Sequence, residues 1–310
     1  METDGRLWAL NGGVSRRYAL MLAIVALLWG GSFLFIKIAV RELAPATLIL
    51  GRLGLATLGL AVIVPFLVGG RETLAQIRAH AGWLAVVGLL NVAIPFWLLS
   101  WGETRIASGL ASILQASVPI FNAVIAFGFF RDVRVAGFRL AGVGIGFVGV
   151  ALLVGAQPHG KVLGALAVCG MALCYAIGQL LASRHLREVR APVVALATTA
   201  VAAIAASPFG IAQAPGHMPS WKTIGSVVAL AIPLTAVAFL LFYAIIAGAG
   251  AAYASLVTYL VPPIALAYGA IFLGEHFGAA DFAALVLILG GVVLGTGRVR
   301  LRRRELASEA

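Results

Sequence analysis

The sequence predicts an all-α integral membrane protein, with ten transmembrane helices arranged as two inverted five-helix repeats around a central cavity. Three observations lead there: a composition that water cannot solvate, ten long apolar runs, and an internal repeat. Of the 310 residues, 62% are apolar and 11% are charged, and the mean hydropathy is +1.06. A soluble domain carries roughly 25% charged residues. A bilayer core about 30 Å thick is crossed by roughly 20 apolar helical residues. Such runs lie near 18–36, 45–68, 83–101, 108–130, 140–154, 162–182, 191–211, 225–247, 252–273 and 280–296. They are continuous rather than alternating, which excludes a β-barrel, and in lipid a spanning backbone must satisfy its own polar groups, which makes the spans helical.

Taking these runs in order, the first follows Arg16-Arg17 and resembles a signal peptide at its start. It continues through Trp29-Gly30-Gly31-Ser32-Phe33 to Ile36 before Lys37, the length of a full span, and is read as retained. Cys169 and Cys174 share the sixth run and read as small core residues. The net charge of +11 is explained by topology. With the amino terminus in the cytoplasm, the inner side receives sixteen basic residues, including Arg71, Arg131, Arg184 and the Arg298–Arg304 tail. The outer side receives five: Lys37, Arg41, Arg105, Lys161 and Lys222. The positive-inside rule then puts both termini in the cytoplasm of a multi-pass protein of the cell (inner) membrane. The basic tail reads as an anchor on anionic lipid, with no nucleic-acid partner.

The repeat is weak but ordered. Lys37 and Pro45 match Arg184 and Pro192 at an offset of 147. Further along, the offset is 143: Ala111-Ser112 with Ala254-Ser255, Val118-Pro119 with Val261-Pro262, Phe129 with Phe272 and Asp132 with Glu275. The repeats are drawn at 18–154 and 162–297, with tails 1–17 and 298–310. An odd number of spans per repeat inverts the second against the first, as in many secondary transporters. Duplication could also have served only to build a larger bundle.

Leu28-Trp29-Gly30-Gly31-Ser32-Phe33 with Lys37, then Pro45 and Arg52, resembles the opening of EamA-type members of the drug/metabolite transporter superfamily. Tyr253-Ala254-Ser255-Leu256, Val261-Pro262-Pro263 and Phe272-Leu273-Gly274-Glu275 resemble the closing half. The resemblance covers residues 20 to 297. It implies ten helices in inverted halves and carriage of small metabolites, often outward, with amino acids, aromatic ones included, among the cargo. Lipophilic-cation efflux is the alternative it leaves open.

Polar groups at mid-depth are expected to face the bundle interior. Ser108, Ser112, Gln115, Pro119 and Asn122 share one face of the fourth span. The ninth offers Ser255, Thr258 and Tyr259, the sixth Tyr175 and Gln179, the third Asn91 and, near its outer end, Trp101, and the first Trp29 and Ser32. These residues line a cavity suited to an amphipathic small molecule, or serve as interhelical glue at roughly 0.6 kcal/mol each. Lys37 and Arg52 either snorkel or form a gate or carboxylate contact. Prolines 95, 119, 233, 262 and 263 interrupt spans as hinges or static bends. Gly142-x-x-x-Gly146 and Gly291-x-x-x-Gly295 read first as internal packing, second as the contact of a weak homodimer.

All eleven acidic residues fall in tails, loops or span ends, and the five histidines lie outside the spans. Carriers driven by protons keep an ionisable residue within the membrane. The expectation is therefore facilitated diffusion or exchange. Neither a His/Cys/acid cluster for a metal nor a Walker phosphate loop occurs, so no cofactor is expected. Without a base at depth, neither is catalysis.

Overall fold

The computed structural model describes residues 16–129, 137–155 and 159–295. The register partner Asp132, the loop arginines 131 and 134, and the Arg298–Arg304 tail lie outside the described residues. Within them every regular element is helical: α1 (Arg16–Ala39), α2 (Pro45–Val68), α3 (Gly70–Ala79), α4 (Ala81–Gly88), α5 (Ile94–Glu103), α6 (Ser108–Gln115), α7 (Val118–Phe129), α8 (Gly137–Gly155), α9 (His159–His185), α10 (Ala191–Ala212), α11 (Trp221–Ala231), α12 (Ala238–Ala249), α13 (Ala251–Ala254), α14 (Val257–Leu273) and α15 (Ala279–Gly295). Seven stretches are long and apolar enough to cross a membrane, and three shorter apolar helices cover 140–155, 257–273 and 279–294. Side chains such as Phe66, Ile204, Ile271 and Val286 are exposed. Water would penalise such a surface and lipid does not. The protein is a multi-pass membrane protein.

Local chemistry sets the helix ends. Pro45 and Pro192 sit in the first turns of α2 and α10, each after an extended residue, Ala44 or Arg190. Proline fits there because a first-turn N–H has no intrahelical partner to lose. Pro45 and Pro192 thus perform the same task. Inside the third and eighth stretches, short π-helical segments run over Leu89–Ala93 and Ile232–Val237. Each has a proline beside or within it, Pro95 or Pro233, whose missing donor breaks the regular ladder. The two segments begin 143 residues apart, the offset found in the sequence.

Packing crosses between the halves. α2 lies against α10, and α8 against α15. α1 packs on α11–α12 and on α14, while α9 packs on α4–α5 and on α6–α7. α1 and α9 thus each pack against two helical stretches distant in sequence. The main core cluster reflects this, joining Phe33 and Ile36 of α1 to Leu114, Val168, Val257 and Ile288.

The glycine motifs meet inside the chain. A Cβ on Gly291 would stand 2.5 Å from the Gly146 nitrogen and 2.6 Å from the Gly142 oxygen, so α8 and α15 touch backbone to backbone. Gly291→Leu should lower thermal stability in detergent by about 1–3 kcal/mol. The neighbouring Gly290→Leu, which meets open space, should melt like the parent when both are followed by fluorescence-detected size exclusion after heating.

Candidate functional site

Two adjoining cavities lie where the fourth, sixth and ninth stretches converge. One, of about 250 Å³, is lined by Asn122, Ile125, Ala176, Gln179, Leu180 and Ser183. The other, of about 210 Å³, is lined by Val118, Pro119, Asn122, Gln179, Ser255, Thr258, Tyr259 and Val292. Asn122 and Gln179 form the shared wall, and the Asn122 amide donates to Gln179 Oε1 at 3.0 Å. Two broken helices deliver this lining. The fourth stretch breaks at Ala116–Ser117, where Ser117 Oγ donates to the Leu114 carbonyl at 2.6 Å. α7 then restarts at Val118-Pro119 and carries Asn122 toward α9. The ninth breaks at Ser255–Leu256, placing Ser255 in the gap and Thr258 and Tyr259 in the first turn of α14. Irregular backbone is tolerated at membrane depth where it lines a cavity.

Of the residues singled out in the sequence, Asn122, Gln179, Ser255, Thr258 and Tyr259 are brought together. Ser112 is buried and donates to the Gly109 carbonyl at 2.6 Å, while Gln115 stands at the break; neither lines either cavity. Trp29 packs 4.9 Å from the Phe242 ring and 6.2 Å from Phe239. Ser32 is buried on the same helix. Asn91, in the first π segment, presses on α9 at Gly178, where a Cβ would come within 2.9 Å of Asn91 Cβ. Tyr175 is packed between two core clusters. Trp101 stands apart, stacked with Trp97 and with the Arg105 guanidinium 3.5 Å above its ring.

The end of the bundle that holds Lys37 is sealed by polar contacts. Lys37 Nζ donates to the Glu103 carbonyl at 2.5 Å and to the Ile106 carbonyl at 2.6 Å. Gly274, at φ +65°, ends α14 in the left-handed conformation that disfavours a side chain, and the chain turns so that Glu275 caps α6. Its carboxylate accepts from Ser108 N at 2.7 Å, Ser108 Oγ at 2.9 Å and Gly109 N at 3.1 Å. Glu42 likewise accepts from Ser220 Oγ and N ahead of α11, at 2.6 and 2.7 Å. The side-chain bond first, then the backbone bond, holds the Glu42 carboxyl below the ordinary carboxylate range. This contact is therefore present at neutral pH and is lost as pH falls through that lowered value.

Arg52 does not snorkel. It is 6% exposed, its Nε donates to Thr235 Oγ1 at 3.0 Å, and its guanidinium lies 4.3 Å from the Phe96 ring centroid. Thr235, in the second π segment, donates in turn to the Leu230 carbonyl at 2.7 Å. Lys37 is also turned inward rather than toward the lipid surface. A second correction concerns the acids. Glu103 does end a span, yet it is 0% exposed, so the premise of a carboxylate-free interior fails. The physical reason is the close approach of α5 and α9. A Cβ on Gly102 would meet the Gly164 carbonyl oxygen at 3.0 Å and Val168 at 2.8 Å, so the end of α5 lies tight against α9. Gly102 beside a terminal Glu was the available signal. Thr235 and Ser183 gave none, because isolated hydroxyls in an apolar run do not declare their depth.

The geometry is that of a helical bundle with an apolar core and two cavities lined in part by amides and hydroxyls. The family model described as EamA-like transporter family matches residues 16–155 and again 162–296. The chain belongs to the EamA-like transporter family. Among relatives of this EamA-like transporter, a protein of Streptantibioticus cattleyicolor named "Probable terminal-alkyne amino-acid exporter" is 28% identical, the match covering 94% of this chain and 96% of the relative. A Salmonella typhimurium protein named "Probable amino-acid metabolite efflux pump" is 25% identical, over 95% and 100% respectively. The "Uncharacterized inner membrane transporter YedA" of Escherichia coli K12 is 25% identical over 87% of each chain. A crystal structure shares the fold with a TM-score of 0.63 at 19% identity, covering 93% of this chain and 100% of the other.

The asymmetry of the two ends is measurable. With Cys169 and Cys174 replaced by alanine, Ser183→Cys at the cavity should react readily with a water-soluble maleimide in detergent. Ser112→Cys, at a site 1% exposed, should react at least about tenfold more slowly, a difference of 1.4 kcal/mol in reaching an accessible state.

Proposed function

We propose that this EamA-like transporter is a secondary exporter of small amphipathic metabolites, with amino acids, aromatic ones included, as its first cargo, working by alternating access in the cell (inner) membrane. The observation that carries the reading is the contrast between the ends of the bundle. Amides and hydroxyls from the fourth, sixth and ninth stretches surround cavities of about 250 and 210 Å³, while Lys37, Glu275 and Glu42 tie the other end shut. One end closed over an internal polar site is one of the two states that alternating access requires.

The second state follows from the architecture we infer. Three shorter apolar helices complete ten spans, five per half, and an odd number inverts one half against the other. The double family match, the π segments in register and the cross-half packing support this arrangement. Exchanging the conformations of the two halves then opens the sealed end and seals the cavity end. Both termini lie in the cytoplasm, following the charge count, and the cavities open toward that side. The glycine motifs are used within the chain, which favours a monomer. Names of relatives that mention amino-acid export and an inner membrane support the cargo class and location. The cavity lining contains no carboxylate among the described residues, which favours amino acids over lipophilic cations.

Within this reading, Arg52 meets the cargo carboxylate in transit. Its Nε is held by Thr235, which orients the terminal nitrogens, and guanidinium matches a carboxylate with two parallel bonds. Counterflow of radiolabelled amino acids in proteoliposomes should show saturable exchange. Its absence across aromatic and aliphatic amino acids would reject the cargo class. Arg52→Ala should lower exchange by about 10–100-fold, the loss of one charged hydrogen bond at 1.5–3 kcal/mol, with membrane insertion unchanged. Normal flux in that variant would remove Arg52 from the path.

A further inference from the structure

Glu103 is the buried titratable group that the transport reading leaves without a task. It closes α5 and is wholly covered, and neither carboxyl oxygen has a hydrogen-bond partner among the described residues. Its neighbour Glu275 differs, with three donors satisfying its charge. Lys37 places its ammonium on the backbone carbonyls of Glu103 and Ile106, and the Glu103 carboxyl itself stays unbonded. The charged and titratable groups around that carboxyl come from every packed element. α1 brings Lys37, with Arg41 behind it, and α2 brings Arg52. α9 brings Lys161, which acts on Lys37, and Tyr175, which acts on Arg52. The turn after α14 brings Glu275.

The geometry points to Glu103 as a proton-binding site: its carboxyl takes up a proton from water as the Lys37 end of the bundle closes over it, and returns that proton when the end opens. An ionised carboxylate shut away without donors carries a large desolvation cost, which one O–H bond removes. When the end opens, water solvates the carboxylate, and Lys37, released from the two carbonyls, becomes free to pair with it. A metal cation fits the place poorly, because an ammonium is already there and the second carboxylate is saturated by donors. Proton binding thus favours the state with the Lys37 end closed, and alkaline solution favours its opening. This rests on the alternating-access reading and supplies its ion dependence.

The test uses the full chain in lipid nanodiscs with Cys169 and Cys174 replaced by alanine. Ser100, one helical turn before Glu103 and 2% exposed, is changed to cysteine as the reporter of opening. Maleimide labelling is followed from pH 5.5 to 8.5 in this background and in the same background with Glu103→Gln, whose own slope corrects for thiol reactivity. The corrected rate should rise with pH by up to about tenfold per unit, the limit for one proton linked to one opening. Glu103→Asp should keep the dependence. Equal slopes with and without Glu103 overturn the proposal, as does a flat profile in the Ser100→Cys background. No labelling at any pH in either background means the end never opens, which rejects alternating access and the proton site together. PH-dependent labelling without amino-acid counterflow rejects the cargo and leaves the proton site standing.

Discussion

Hydrocarbon offers no partner to a polar group, and nearly every feature of this structure answers to that constraint. An unpaired backbone N–H or C=O in lipid costs several kcal/mol. Every regular element among the described residues is therefore helical, and the breaks within the apolar stretches occur where the protein itself supplies partners. At the break in the fourth stretch Ser117 bonds Leu114. In the second π segment Thr235 bonds Leu230 and receives Arg52. The breaks in the fourth and ninth stretches border the cavity of about 210 Å³, and the freed geometry there presents Asn122, Ser255, Thr258 and Tyr259 to one space.

The same constraint sorts the charges. Arg52 makes its direct contacts with a hydroxyl and an aromatic face. Glu275 and Glu42 each cap a helix start, where backbone N–H groups welcome a carboxylate. Both caps bridge the two halves of the chain, and both lie at the Lys37 end. That end is consequently tied by several specific polar contacts that can be exchanged one for one with water, whereas apolar packing would have to be broken wholesale. A seal of this kind suits a structure that must open and close.

Close backbone contact sets the remaining frame. Gly146 against Gly291 joins α8 to α15, and Gly102 against Gly164 joins α5 to α9. The two contacts have different consequences. The first fixes α15 against α8 beside Val292, which lines one of the cavities. The second holds the end of α5 tight against α9, where Glu103, an acid that the sequence places at a membrane boundary, is fully covered.

By itself the sequence determined the helical membrane class, the helix positions to within a few residues, and the prolines that start α2 and α10; it also named Asn122 and Gln179 separately as candidates. These are legible because composition, run length and helical spacing are properties of local chain. Its 143-residue register also anticipated where the two π segments fall relative to each other. What only the tertiary structure decided is which polar side chains share a space and which are spent on their own helix. Ser112 and Asn122 occupy one helical face on paper, yet a break between them sends the first to a local carbonyl and the second to the cavity wall. Burial of Glu103 and the pairing of Arg52 with Thr235, 183 residues away, depend on interhelical distances of a few ångströms, and no local pattern encodes those.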